Sequence, residues 1–252
     1  MMFLVLATAA FAQDGHDDHD DDHEHEHGHS DIEFSYVDGK IDVEFGDEGA
    51  VFEGEFPTEG VDRQFTTEPG FGSELEEGLG IGAGDQVVYN VLGNLMFWND
   101  GFKHVPDGVS LRVVNKPPAP IVPDTVITRD SGVQRGSFTP ALNRIGEAES
   151  DGDFHSDLQF FLEPNGAPDP INPEIFGAYG VMLSLSTDAE GIADSDPFFL
   201  VLNMGLDEEL YEEGVEAFAA VVPEPSGMVL GLLAAAGCVL SRRRFGGGIC
   251  ER

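Results

Sequence analysis

From Ile32 onward, hydrophobic and polar positions alternate with period two. Ile32-Glu-Phe-Ser-Tyr-Val37 alternates, Asp38-Gly39 interrupts, and Ile41-Asp-Val-Glu-Phe45 alternates again. Alternation turns successive side chains to opposite faces of a strand, and Asp-Gly between two such runs predicts a tight hairpin. Further strands are predicted over residues 51–56, 86–91, 95–98, 109–114, 125–128, 136–139, 158–162, 179–186 and 198–202. The 32 glycines and 15 prolines punctuate them at short intervals. Many short strands separated by turn residues predict a mainly β body, an antiparallel sandwich of jelly-roll-like kind, over residues 32–220.

One stretch breaks the period. Residues 207–221 place Leu210, Tyr211, Val215 and Phe218 on one helical face, with acidic residues gathered at the positive N-terminal end. A single C-terminal helix is therefore expected, capping one edge of the sandwich. Lys116-Pro-Pro-Ala-Pro120 reads equally as a subdomain linker or as a crossover between two sheets.

At both ends the pattern changes altogether. Residues 1–12 form an apolar run ending in Ala10-Phe-Ala12, a small-x-small cleavage site before Gln13, and are expected to be a signal peptide. The stretch lacks a positively charged n-region, which an upstream start would supply. Residues 13–31 then carry Asp, Glu and His with nothing apolar between them, so no face can be buried and a disordered tract is expected.

Charge narrows the range of partners. Asp plus Glu number 48 against 12 Lys plus Arg, a formal net charge of −36. Like-charge repulsion disfavours nucleic acid and anionic membrane surfaces as partners, and metal cations are favoured. An acidic surface equally fits a high-salt habitat. The two cysteines, Cys238 and Cys250, both lie beyond residue 220, so the body is not a disulfide scaffold.

Of the 8 histidines, His16, His19, His23, His25, His27 and His29 lie in the tract. Neutral imidazoles bind zinc, copper and nickel, and the interleaved carboxylates concentrate cations around them. Such a tract holds several ions loosely rather than one in a closed shell, and loses affinity as the imidazoles protonate near pH ~6. A solvated spacer with incidental histidines accounts for the same composition. His23-Glu-His-Glu-His27 formally fits H-E-x-x-H, but that pattern works only on a helix packed into a cleft, so no protease is read from it.

In the body, Asp153-Phe-His-Ser-Asp157 places His155 and Asp157 on one strand face, with Phe154, Leu158 and Phe160 on or near the other. A histidine and a carboxylate at i, i+2 supply two metal ligands; a solvent-facing polar edge is the competing reading. His104 is expected in a loop or in the core. No nucleophile elbow, P-loop or dinucleotide-binding glycine pattern is present, and the chain is not expected to be an enzyme.

The C-terminal stretch has three parts in order: Pro223-Glu224-Pro225, an uncharged apolar run over residues 227–240, and Arg242, Arg243 and Arg244. The prolines disconnect what precedes them, the apolar run can be helical, and the arginines would remain on the cytoplasmic side of a membrane. Fourteen helical residues span roughly 21 Å, short of a ~30 Å hydrocarbon core, so a single short transmembrane helix would have to extend through its flanks. This tail resembles the PEP-CTERM sorting signal of bacterial surface proteins. The resemblance implies recognition by the membrane enzyme exosortase after passage through the Sec translocon. It also implies delivery to the cell surface or an extracellular polysaccharide matrix. It covers residues 221–244, leaving 245–252 as a cytoplasmic tail.

A second, weaker resemblance is carried by residues 155–162 and Gly177-Ala-Tyr179. It is to zinc-regulated, surface-anchored bacterial proteins with a His-x-His strand, an aromatic run and a Gly-x-Tyr strand; Asp157 stands where that pattern has its second histidine. The expected function is binding or buffering of a divalent transition metal, Zn2+ first among several, at the cell surface. The alternative is a structural or adhesive matrix protein with no metal role.

Overall fold

The computed structural model describes residues 31–46, 49–60, 62–116, 122–165 and 173–222. The signal peptide, the histidine tract up to residue 30, the Pro-Glu-Pro motif, the apolar run and the arginines all lie outside the described residues. Among the described residues, no helix is long and apolar enough to cross a membrane.

The body is mainly β. The predicted hairpin forms from β1 (Ile32–Val37) and β2 (Lys40–Val43), with Tyr36 opposite Ile41 and Phe34 opposite Val43. Asp38 and Gly39 both take positive φ, +52° and +78°, as a two-residue turn matched to strand twist requires. Ile32, Phe34, Ile41 and Val43 are buried on the inner face, while Glu33, Ser35 and Asp42 face outward. Next come β3 (Val51–Glu55), β4 (Phe65–Thr66), β5 (Phe71–Ser73), β6 (Gln86–Val91), β7 (Met96–Trp98), β8 (Phe102–Lys103) and β9 (Val109–Val114). The remaining strands are β10 (Thr125–Ile127), β11 (Ser137–Phe138), β12 (Ala141–Leu142), β13 (Arg144–Glu147), β14 (Phe154–Ser156), β15 (Gln159–Pro164), β16 (Gly177–Thr187) and β17 (Phe198–Met204).

Three main sheets share one core. The first has the order β14-β5-β1-β2 and the second β10-β9-β15-β4. The largest runs β13-β6-β16-β17-β3, with β7 also on β16 and β8 on β7; β11 and β12 form a separate ribbon. Most pairings are antiparallel, but β1 with β5 and β17 with β3 are parallel. Phe34, Phe71 and Phe154 of the first sheet, Leu111, Phe160 and Leu162 of the second, and Leu183, Leu200 and Leu202 of the largest meet in a single cluster. Where the three sheets converge, a void of about 10 Å³ lined by Phe71, Tyr89, Val113, Leu158, Val181 and Leu200 has room for no more than one water.

The helix α1 (Glu208–Ala219) starts as predicted, with Asp207 as its N-cap accepting the Leu210 N–H at 3.0 Å. Its position differs from the expectation. Rather than capping an edge, it lies on the outer face of the largest sheet, where Tyr211, Val215 and Phe218 pack against Val51, Trp98, Ala178, Phe199 and Val201. A Cβ at Gly180 would collide with the Phe218 ring, so glycine is what lets the helix approach this closely. Covered on both faces, β17 is buried at all seven positions and reads as an apolar run broken by Asn203 alone, instead of alternating.

Residues 117–121 of the proline-rich segment lie outside the described residues, but its flanks are informative. β9 and β10 are antiparallel neighbours in one sheet, with Val113 opposite Thr125. The segment therefore connects adjacent strands; it is neither a linker between subdomains nor a crossover between sheets.

Candidate functional site

The site is built on the outer face of the first sheet. β14 is its edge strand, with Phe154 and Ser156 buried and His155 exposed between them. His155 lies opposite Gly72 of β5, Gly72 opposite Glu33 of β1, and the Glu44 N–H donates to the Glu33 carbonyl. A transverse row of His155, Gly72, Glu33 and Glu44 thus crosses the face. Gly72 leaves open space between the imidazole and Glu33, since even a Cβ there would meet nothing.

The sequence placed His155 and Asp157 on one face of one strand. The shared face is right: Nε2 of His155 is 3.6 Å from Asp157 Oδ1, while Phe154, Leu158 and Phe160 are buried on the other side. The single strand is not. The chain leaves the first sheet after Ser156 and enters the second at Gln159, so Asp157 stands at the switch between sheets.

Two further carboxylates arrive from distant segments. Nδ1 of His155 is 3.7 Å from Glu74 Oε1 and 3.9 Å from Asp31 Oδ2. Asp31 is held in place: its Oδ1 accepts the Gly70 N–H at 3.1 Å, and the Ile32 N–H donates back to the Gly70 carbonyl at 2.9 Å. A Cβ on Gly70 would come within 2.8 Å of both Asp31 Oδ1 and Asp157 Oδ1, so a side chain there would push the two carboxylates away. Glu74 follows β5 directly, and Leu75 is fastened by its N–H to Asp153 Oδ1 at 2.7 Å.

The face is electrostatically crowded. Glu33 holds its proton more tightly than an ordinary glutamate, first because it is partly buried and then because Glu77, Glu44, Asp31 and Glu74 surround it. Among the described residues no Lys or Arg pairs with Asp31, Glu33, Glu74 or Asp157; Lys40, on the same sheet, is engaged with Asp196 at 2.5 Å. Nor do any three His, Cys, Asp or Glu side chains among the described residues enclose a metal ion as they stand.

His104 is exposed just after β8, on the largest sheet, and does not join His155. His16, His19, His23, His25, His27 and His29 lie outside the described residues, as do Pro223, Glu224, Pro225, Arg242, Arg243 and Arg244. Asp31 and Glu74 carried no local signal. Asp31 read only as the last residue of the tract, and Glu74 as one acid among many. No family model matches the chain, and no curated protein matches it.

Proposed function

We propose that this chain is an exported bacterial surface protein that binds or buffers a divalent transition metal, zinc first among the candidates. The tract histidines His16, His19, His23, His25, His27 and His29 collect ions, and the His155 and Asp157 region of the body accepts one. Export runs through the Sec translocon and sorting through an exosortase acting on residues 221–244, with the body, a jelly-roll-like sandwich, outside the membrane. The uniformly acidic composition and the uncharged run before three arginines support that location.

One observation carries the metal reading. An exposed imidazole has carboxylates within 4 Å on both of its nitrogens, and one of them, Asp31, is the residue at which the histidine tract joins the body. His29 precedes Asp31 by two residues, and two residues of chain reach at most about 7 Å. Collector and acceptor are therefore neighbours by covalent connection, which raises the local concentration of one for the other.

Zinc titration of the full chain by calorimetry tests this, beside a full chain with all six tract histidines replaced by serine. Several ions in the first and a single site in the second are expected. Absence of binding in both below about millimolar zinc overturns the metal reading and leaves the structural or adhesive matrix protein.

A further inference from the structure

The carboxylates around His155 are unevenly divided. Nδ1 faces two of them, Glu74 and Asp31, while Nε2 faces only Asp157. The two ring nitrogens point apart, so a single ion is bound by one or the other. A metal-bound histidine almost always donates its remaining ring N–H to a carboxylate or carbonyl, which fixes the tautomer and aims the ring.

We infer that His155 Nδ1, Asp31 and Glu74 bind one divalent transition-metal ion, and that Asp157, 3.6 Å from Nε2, is a positioning residue that closes to accept a hydrogen bond from the Nε2–H. The inference rests on the metal reading above and changes its ligand set. Two ligands adjacent in sequence give way to three drawn from the start of β1, the end of β5 and the centre of β14.

Asp31 is already divided as such a ligand requires. Its Oδ1 is occupied by the Gly70 N–H and its Oδ2 is turned to the imidazole. Around a tetrahedral ion with bonds of about 2.0–2.1 Å, donors lie about 3.3–3.4 Å apart. The observed 3.7 and 3.9 Å must shorten by about half an ångström. The His155, Asp31 and Glu74 side chains are 56%, 40% and 47% exposed and can rotate that far without disturbing the core. One nitrogen and two carboxylates suit zinc or cobalt(II) better than calcium, which favours an all-oxygen shell. Three protein ligands leave a fourth position for water.

The test uses the full chain with the six tract histidines replaced by serine, titrated with zinc alone. One ion per chain is expected. His155→Ala abolishes it, Asp31→Asn and Glu74→Gln weaken it more than about 100-fold, and Asp157→Asn about tenfold. Asparagine at 31 keeps an acceptor for the Gly70 N–H, so loss of ligation is separated from loss of fold, and circular dichroism of each variant checks this. Nitrogen-15 NMR of the unsubstituted His155 ring supplies a readout independent of any variant. Nδ1 should move to a metal-bound shift while Nε2 stays protonated.

Zinc on Nε2, or wild-type affinity in both Asp31→Asn and Glu74→Gln, overturns the assignment. So does an absence of binding in the tract-substituted chain. In that last case, the chain with its tract intact separates the two readings. If it binds zinc, the tract reading stands and only the structured site is lost; if it binds none, both fall.

Discussion

The two four-stranded sheets pack on the same core, yet their outer faces treat charge in opposite ways. Across the second sheet, Val126 lies opposite Arg112, Arg112 opposite Phe161, and Phe161 opposite Phe65. The Arg112 guanidinium donates to Glu163 at 2.7 Å and to Asp124 at 3.0 Å, and stands 4.1 Å from the centroid of the Phe161 ring. The same ring also meets Phe65, with centroids 4.8 Å apart. One planar cation thus satisfies two acids and an aromatic face together, a task suited to arginine. The first sheet presents His155 and a ring of carboxylates, with no such cation among the described residues. Charge settled within the protein marks a structural face, and charge left for solvent or an ion marks the candidate site.

The comparison breaks most severely from beneath. Phe154 is 1% exposed and meets Phe34 edge-on with ring centroids 5.3 Å apart, anchoring the strand that carries His155. Phe154→Ala should cost about 3–5 kcal/mol in urea unfolding and should eliminate the structured zinc site while the tract still binds. A loss under about 1 kcal/mol would mean that this edge strand does not belong to the cooperative core.

On the other sheet, Arg112→Met should cost about 2 kcal/mol, because the Glu163 side chain, 10% exposed, loses its charged partner. Glu163→Gln in that background should recover part of the loss, and Arg112→Lys should restore it incompletely, since an ammonium cannot serve both acids and the ring. Additive effects of the Arg112 and Glu163 substitutions would show that the pair is not coupled.

The smallest effect sharpens the contrast. Because the Glu33 carboxyl titrates above its ordinary value in the folded state, the native protein holds that proton more tightly than the unfolded chain. Its contribution therefore gains stability as pH falls from neutral through the raised value and loses it as pH rises. Glu33→Gln should raise the melting temperature at pH 7, by a stability gain that solvent screening holds below about 1 kcal/mol, and should flatten that part of the pH profile. A lower melting temperature at pH 7 would mean that the ring of acids is compensated after all.

Local pattern carried much of the fold. The β1–β2 hairpin, the bounds of β6 and β9, and the start of α1 were legible because each depends on residues within one turn or one strand of one another. Two-residue strands such as β4 and β8 were not, since two positions show no period. The break at Asp157 was also hidden. Alternation runs unbroken through Phe154, Ser156, Leu158 and Phe160, because both sheets turn the same parity of side chain to the shared core.

By itself, then, the sequence determined the mainly β class, the β1–β2 hairpin, the helix that forms α1 and the placing of His155 and Asp157 on one face. All of these follow from periodicity and turn chemistry over a few residues. Only the tertiary structure decided that the helix covers a sheet face rather than an edge. It also decided that Asp31 and Glu74 come to the imidazole from the far side of the chain. Those outcomes depend on which strands pair, and here a parallel contact of β1 with β5 and an antiparallel contact of β14 with β5 set them. Such contacts join segments far apart in sequence, where hydrophobic alternation says which face is inward but not which neighbour lies alongside.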